Sequence, residues 1–278
     1  ARKAAARSFW QALALPKAPL PVNRLYLPAR RVMKPPMEHA PLRTFGRAKG
    51  RPLSPRQQNL LDALLPHLEV PEADAGALDP RELFDPPLDE TRLAPAPAAG
   101  FTPKEIWLEI GFGGGEHLIE QARRHPDVGF IGCEPFNEGM AKALVGIEEN
   151  NLANIRLHMG DAREVTMRLK DGCVDRCFIL FADPWPKTRH HKRRLIQPDF
   201  VAELARLIRP GGRLRLATDW ADYSEWMLER LLRDRRFEWQ PRAAVDWNTP
   251  PSDHVTTRYE TKKLGDMPPV FLDFVRAG

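Results

Sequence analysis

The sequence predicts an α/β fold, a mostly parallel sheet with helices on both faces, preceded by a basic N-terminal extension. Three observations carry this expectation. After Thr102, short apolar runs of strand length alternate with segments of helical period, the pattern that builds a parallel sheet through crossover helices. The first run opens into Gly111-Phe112-Gly113-Gly114-Gly115, where the chain can turn sharply and leave its backbone bare. Four consecutive runs each carry a carboxylate at or near their end, Glu109, Glu134, Asp161 and Asp183, which puts four acids on one rim.

In chain order, residues 1–36 hold eight Lys or Arg and no Asp or Glu, and repeated prolines interrupt any amphipathic helix. This start superficially resembles an organelle transit peptide, and another start, Met37-Glu38-His39, lies just downstream. Residues 1–42 are expected to be a disordered extension, dispensable up to residue 36. A basic, glycine-broken arm follows, with Arg43, Arg47 and Arg51; its composition suits a flexible tail or a clamp on RNA phosphates equally. Ser54 to Leu68 predicts a short helix with leucines at helical spacing after a Ser-Pro start. Residues 43–70 are therefore arm and helix. Residues 71–103, rich in Pro, Ala and Asp, are expected to be a linker, and 104–278 the main domain.

Strands are expected near Ile106 to Gly111, Gly129 to Glu134, Ile155 to Gly160, Arg176 to Ala182 and Arg213 to Thr218. Phe237 to Gln240 and Val270 to Val275 supply two more, for a sheet of about seven strands. Helices are expected around Glu116 to Arg124, Glu138 to Glu149, Ala162 to Leu169, Pro198 to Leu207 and Tyr223 to Arg233.

A formal charge of +5 with clustered basic residues points to an anionic partner such as nucleic acid. No apolar run approaches the ~20 residues of a spanning helix, so no membrane role is expected, and the reading is of a cytoplasmic monomer without an obligate protein partner. Three cysteines, Cys133, Cys173 and Cys177, lack paired spacing; Cys133 and Cys177 fall in apolar runs and are expected as buried free thiols. The eight histidines form no ligand pattern, and no metal site is expected.

Between the first and fourth strands the acids define a site. A dinucleotide fingerprint would need a third glycine where this chain has Glu116. Carboxylates at Glu109, Glu134 and Asp161 suit a cationic ligand better than a pyrophosphate. S-adenosylmethionine is such a ligand: Glu134 can accept both ribose hydroxyls, Asp161 the adenine amino group, and Gly111 and Gly113 offer bare backbone. Asp161 is equally suited to cap a helix. The fourth strand runs into Asp183-Pro184-Trp185-Pro186-Lys187, followed by Arg189-His190-His191-Lys192-Arg193-Arg194. That places an acceptor, a flat indole and a phosphate-binding strip side by side, although such a run also suits a solvated turn.

These residues, with Glu109-Ile110-Gly111-Phe112-Gly113, Gly160-Asp161-Ala162, Ala217-Thr218-Asp219-Trp220 and Thr257-Arg258-Tyr259-Glu260, resemble the bacterial tRNA (guanine-N7)-methyltransferases, single-chain enzymes with the Rossmann-like methyltransferase fold. The resemblance runs from about Arg43 to the C-terminus. It implies methyl transfer from S-adenosylmethionine to N7 of the variable-loop guanine at tRNA position 46. It also implies Glu109, Glu134, Asp161, Ala162 and Asp183 at the cofactor, with Asp183 the catalytic position as well. By the same resemblance Lys187, Asp219, Thr257, Arg258, Tyr259 and Glu260 meet substrate, and Arg189 to Arg194 contact RNA. Thr257 and Glu260 also have the spacing of a capping box, and Asp219 that of a helix cap. Two other readings stand beside it: an amino-methyltransferase on rRNA or DNA bases, and a noncatalytic RNA-binding protein on the same fold. The first usually carries Pro-Pro-Tyr or Pro-Pro-Phe where this chain has Pro184-Trp185-Pro186, and the intact rim acids oppose the second.

Overall fold

Strands β1 (Glu105–Ile110), β2 (Val128–Cys133), β3 (Ile155–His158) and β4 (Val174–Leu180) are buried almost from end to end. Such continuous burial arises where helices cover both faces of a parallel sheet. With β5 (Ile208–Thr218), β6 (Phe237–Trp239) and β7 (Val270–Arg276) they form one sheet in the order β3-β2-β1-β4-β5-β7-β6. The first five strands are parallel, and β7 runs antiparallel to β5 and β6. The computed structural model describes residues 50–84 and 101–278.

The main helices are α3 (Glu116–Arg124), α4 (Asn137–Asn150), α5 (Ala162–Thr166), α6 (Pro198–Leu207) and α7 (Ala221–Arg233). Two short ones follow, α8 (Val245–Asn248) and α9 (Arg258–Thr261). The seven strands and five of the expected helices are present, with α5 ending three residues early. Ahead of the sheet, the expected Ser54 to Leu68 helix is two helices, α1 (Pro55–Ala63) and α2 (Leu65–Leu68). Pro66 explains the break, since it has no N–H to give to the preceding turn. Ser54 and Gln57 close a capping box at the start, and Leu60, Leu64, Leu65 and Leu68 are buried.

The first half of the stretch expected to be a linker is bound to the domain. Val70 N–H donates to the Leu157 carbonyl at 2.9 Å, and Glu69 forms a bridge to the same residue of β3. Further on, Leu78 N–H donates to Arg168 O and Lys170 N–H to Leu78 O. Phe84 ends the segment in the core, with the Arg156 guanidinium 4.7 Å from its ring centre. Since β3 is an edge strand, Glu69 and Val70 cover a backbone group there that would otherwise stand unpaired. Three widely spaced anchors, Val70, Leu78 and Phe84, suffice, and no periodicity announces them. The remainder of 71–103 up to residue 100, like residues 1–49, lies outside the described residues.

All three cysteines are free and buried, and burial raises each thiol pKa, that of Cys173 to about 12. Among the described residues no helix is long and apolar enough to cross a membrane, and no group of His, Cys, Asp and Glu is arranged to hold a metal.

Candidate active site

The strand order reverses between β1 and β4, so their carboxyl ends diverge into loops on opposite sides of a crevice. On the β1 side, Gly111 and Gly113 have φ of +74° and +59°, which side chains rarely tolerate. A Cβ at either would meet nothing within 4 Å, so bare backbone faces open space. The turn is fixed from below: Gly111 N–H donates to Cys133 O, and Gly113 N–H to the Glu134 carboxylate at 2.7 Å. Gly139, in the first turn of α4, lies so close that a Cβ there would be 2.3 Å from Gly113 O.

Glu134 also accepts from Phe136 N–H at 2.9 Å. Burial nevertheless pushes its pKa up to about 7, against the opposing effect of these two donors. Glu109, on β1, is buried and 2.7 Å from His117 Nδ1. The other His117 nitrogen is 3.4 Å from Gln121 Nε2, which donates to the Asp253 carbonyl at 2.6 Å. Because that amide nitrogen only donates, His117 accepts there and gives its Nδ1–H to Glu109. Asp253 is held in turn by Arg215 at 2.6 Å and Arg176 at 3.2 Å. Nothing local in the sequence marks Gln121 or Asp253, because their contact spans 132 residues.

Asp161 has both oxygens engaged. It caps α5 through Arg163 N–H, and Arg163 Nε and Nη2 donate to it at 2.9 and 2.6 Å. Ala162 opens that helix and is buried. Glu109, Glu134 and Asp161 therefore sit on the expected rim, Asp161 with its cap role realised.

Asp183 stands at the crevice, exposed on the turn that follows β4. The residues two before and two after it, Phe181 and Trp185, have φ of 56° and 42°, a left-handed geometry that costs ~1–3 kcal/mol at non-glycine positions. Arg194 is what holds the turn. Its side chain is fully buried, Nε donates to Pro184 O at 2.8 Å, and Nη2 to Asp222 at 2.6 Å. Its guanidinium packs against Tyr223 and Trp226, 5.2 and 4.7 Å from their ring centres.

Arg194 therefore cannot serve as the RNA contact expected of it; the basic run turns back into the protein at its end. The preceding 3₁₀ turn, Thr188–Arg193, leaves Lys187, Arg189 and Lys192 exposed. His191 points inward, packed edge-on against Trp226 and 3.3 Å from Asp222. Arg193 covers a face of Trp185 at 5.0 Å, and His190 meets the same indole edge-on. Desolvation and the surrounding cations lower the His190 pKa, so it is mainly neutral at pH 7. Of the arm, Arg51 N–H bonds the Glu138 carboxylate beside the rim, and Gly50 lies against Phe136; Arg43 and Arg47 are outside the described residues.

At the end of β5, Asp219 does not cap α7. It accepts from Tyr259 OH at 3.3 Å and Gly265 N–H at 2.9 Å, bracing the segment that carries α9. The start of α7 is capped from afar, by Asp266 accepting from Ala221 N–H. Thr257 and Glu260 form the capping box, and Glu260 also contacts His254 at 3.0 Å, so both have partners within the fold. Arg258 is exposed. Tyr259 lies 5.4 Å from Phe181, ring to ring, and thereby adjoins the Asp183 turn. The site thus brings together the glycine turn, Glu109, Glu134, Asp183, Asp219 and Tyr259.

Two measurements follow from this geometry. Arg194→Ala strips Pro184 O and Asp222 of a donor and two rings of their cation, and should lower unfolding stability by about 2–3 kcal/mol. Arg189→Ala should change it by less than about 0.5 kcal/mol; equal losses in urea denaturation would contradict the strut. Glu134 ionises with difficulty in the fold, so its contribution favours the folded state below its unfolded pKa and is lost as pH rises through about 7. Glu134→Gln should remove that component from a stability–pH profile taken between pH 4.5 and 8.

Residues 103–270 match a family model described as "Putative methyltransferase". A tRNA (guanine-N(7)-)-methyltransferase of Caulobacter sp. (strain K31) is 55% identical over 242 residues, which is 87% of this chain and 98% of that protein. Its counterpart in Hyphomonas neptunium (strain ATCC 15444) is 51% identical over 233 residues, 84% of this chain and 99% of that one. Among solved structures, the 16S rRNA methyltransferase KamB aligns at a TM-score of 0.47 and 15% identity, over 63% of this chain and 89% of its own. On identity of this order across nearly its whole described length, the chain belongs to the tRNA (guanine-N7)-methyltransferase family.

Proposed function

We propose that this chain transfers a methyl group from S-adenosylmethionine to N7 of the guanine at position 46 in the tRNA variable loop. The observation that carries the reading is one crevice joining bare glycine backbone and buried acceptors on the β1–β2 side to Asp183 on the β4 side. The rim's side chains are carboxylates. They fit a ligand with hydroxyl donors and positive charge and disfavour a pyrophosphate. Glu109, Glu134 and the Gly111–Gly113 backbone would hold the cofactor, and Asp161 would join them only through a donor shared with Arg163. When bound, the cofactor supplies an electrophilic methyl carbon on a sulfonium, whose sulfur keeps the electron pair of the broken bond.

Guanine N7 has an in-plane lone pair and no proton, so the chain needs no general base. Its task is alignment, and holding reactants in line is worth up to ~7–11 kcal/mol of barrier. Asp183 accepts from guanine N1–H and the 2-amino group, which turns the N7 edge toward the methyl donor. Adenine lacks those donors and would leave the carboxylate unpaired. The strained turn, held by Arg194, fixes where that carboxylate sits. Trp185 offers a face for the extruded base, worth ~1–3 kcal/mol of stacking, while Arg193 occupies another face. Lys187, Arg189 and Lys192 meet backbone phosphates.

The test is transfer of labelled methyl to tRNA transcripts differing only in the variable-loop guanine, with nucleoside analysis. Label should appear as 7-methylguanosine and vanish when that guanine becomes adenine; label in another nucleoside would overturn the reading. Asp183→Asn should lower kcat/KM about 10- to 100-fold, the loss of a charged hydrogen bond, and relax discrimination against adenine.

A further inference from the structure

Many exposed cations of this protein have acidic partners. Arg56 pairs with Glu148 and Glu149, Arg123 with Glu120, Arg233 with Glu229 and Arg236 with Asp234. Around Asp183 the pattern changes. Among the described residues no carboxylate lies within the 4.0 Å of an ion pair from Lys187, Arg189 or Lys192, nor from a second exposed group, Arg258, Lys262 and Lys263.

The second group is fixed in place. Lys262 and Lys263 lie between Tyr259 and Gly265, and both of those residues bond the Asp219 carboxylate. Lys263 N–H donates to Glu260 O, and its φ of 49° turns the chain sharply off the end of α9. The Tyr259 ring, 5.4 Å from Phe181, holds this segment against the Asp183 turn. Two short segments with six exposed cations, none of them within ion-pair distance of a carboxylate among the described residues, thus adjoin the Asp183 turn. Like charges gathered without partners repel one another, an arrangement that an anionic ligand relieves.

We propose that Lys262 and Lys263 extend the substrate contact expected of Arg258 into a second phosphate-binding strip, so that the RNA backbone is gripped at two segments beside Asp183. Lys262 and Lys263 extend the contact surface past the Thr257–Glu260 segment. The inference rests on the proposed RNA substrate and adds to it the path of the backbone. A nucleotide drawn toward the crevice then has phosphates on its flanks neutralised by both segments.

The experiment is binding of a tRNA transcript to the full chain by fluorescence anisotropy between 50 and 200 mM KCl. Each lost phosphate contact lowers the slope of log K against log salt by ~0.7–0.9. Lys262→Ala combined with Lys263→Ala should reduce the slope by about 1.4–1.8, so its deficit against the unaltered protein shrinks about tenfold across that range. The paired Lys→Arg variant should keep the original slope. Affinity for S-adenosylmethionine, measured by calorimetry, should stay unchanged and shows the fold intact. Normal RNA binding by the unaltered chain with an unaltered slope in the double Ala variant would overturn the second strip alone. An unaltered chain that binds no tRNA would overturn the RNA reading and the strip with it.

Discussion

The reversal of strand order between β1 and β4 is the constraint on which the site depends. Crossover helices leave β1 on one side and β4 on the other, so the backbones at their carboxyl ends part and open a crevice. Everything chemical is then a matter of what the two diverging loops present. One presents glycines whose backbone no side chain covers; the other presents a carboxylate on a turn that resists relaxation. Neither loop could work on a continuous antiparallel sheet, where neighbouring strand ends are joined rather than opened.

Charge is sorted by depth around that crevice. Glu109 and Glu134 are buried, and their hydrogen bonds to His117, Gly113 and Phe136 orient them without neutralising them by a Lys or Arg. Burial pushes the Glu134 pKa up to about 7, and a hydroxyl-bearing ligand would offset the cost of keeping that carboxylate dry. The cations lie outside, at the mouth, where water still screens them and where a phosphate backbone would run. Such layering would give a cationic small molecule and a polyanion neighbouring spaces, as the proposed function requires.

Rigidity at the mouth comes from polar contacts within the protein. Arg194 anchors the Pro184 carbonyl from inside, wedged against two aromatic rings, and Asp219 staples α9 and Gly265 to the end of β5. The Gln121 to Asp253 contact ties α3, which carries His117, to the loop that supplies His254. A few buried polar groups thus position loops that carry little core of their own. Truncating such a residue leaves buried partners unpaired, which is why Arg194→Ala and Arg189→Ala separate although they sit five residues apart in one basic run.

The sequence by itself determined the sheet, since apolar runs, strand-end acids and glycine turns are local signals that burial in a parallel sheet reads in only one way. It also placed the acids at the strand ends, the Asp183 turn and the Thr257–Glu260 capping box, each legible within a few residues. Tertiary structure alone decided which members of the Arg189 to Arg194 run face water, because a 3₁₀ turn spaces them differently from a strand and carries Arg194 into the core. It alone decided that residues 69–84 dock on the domain, Glu69 and Val70 at the β3 edge, since three scattered apolar anchors have no period to betray them. Likewise Asp219 chose a staple over a cap because Tyr259 and Gly265, some 40 residues on in sequence, bring donors that no local pattern encodes. Hydrogen-bond partners at long range depend on where the chain returns, and only the folded path supplies that.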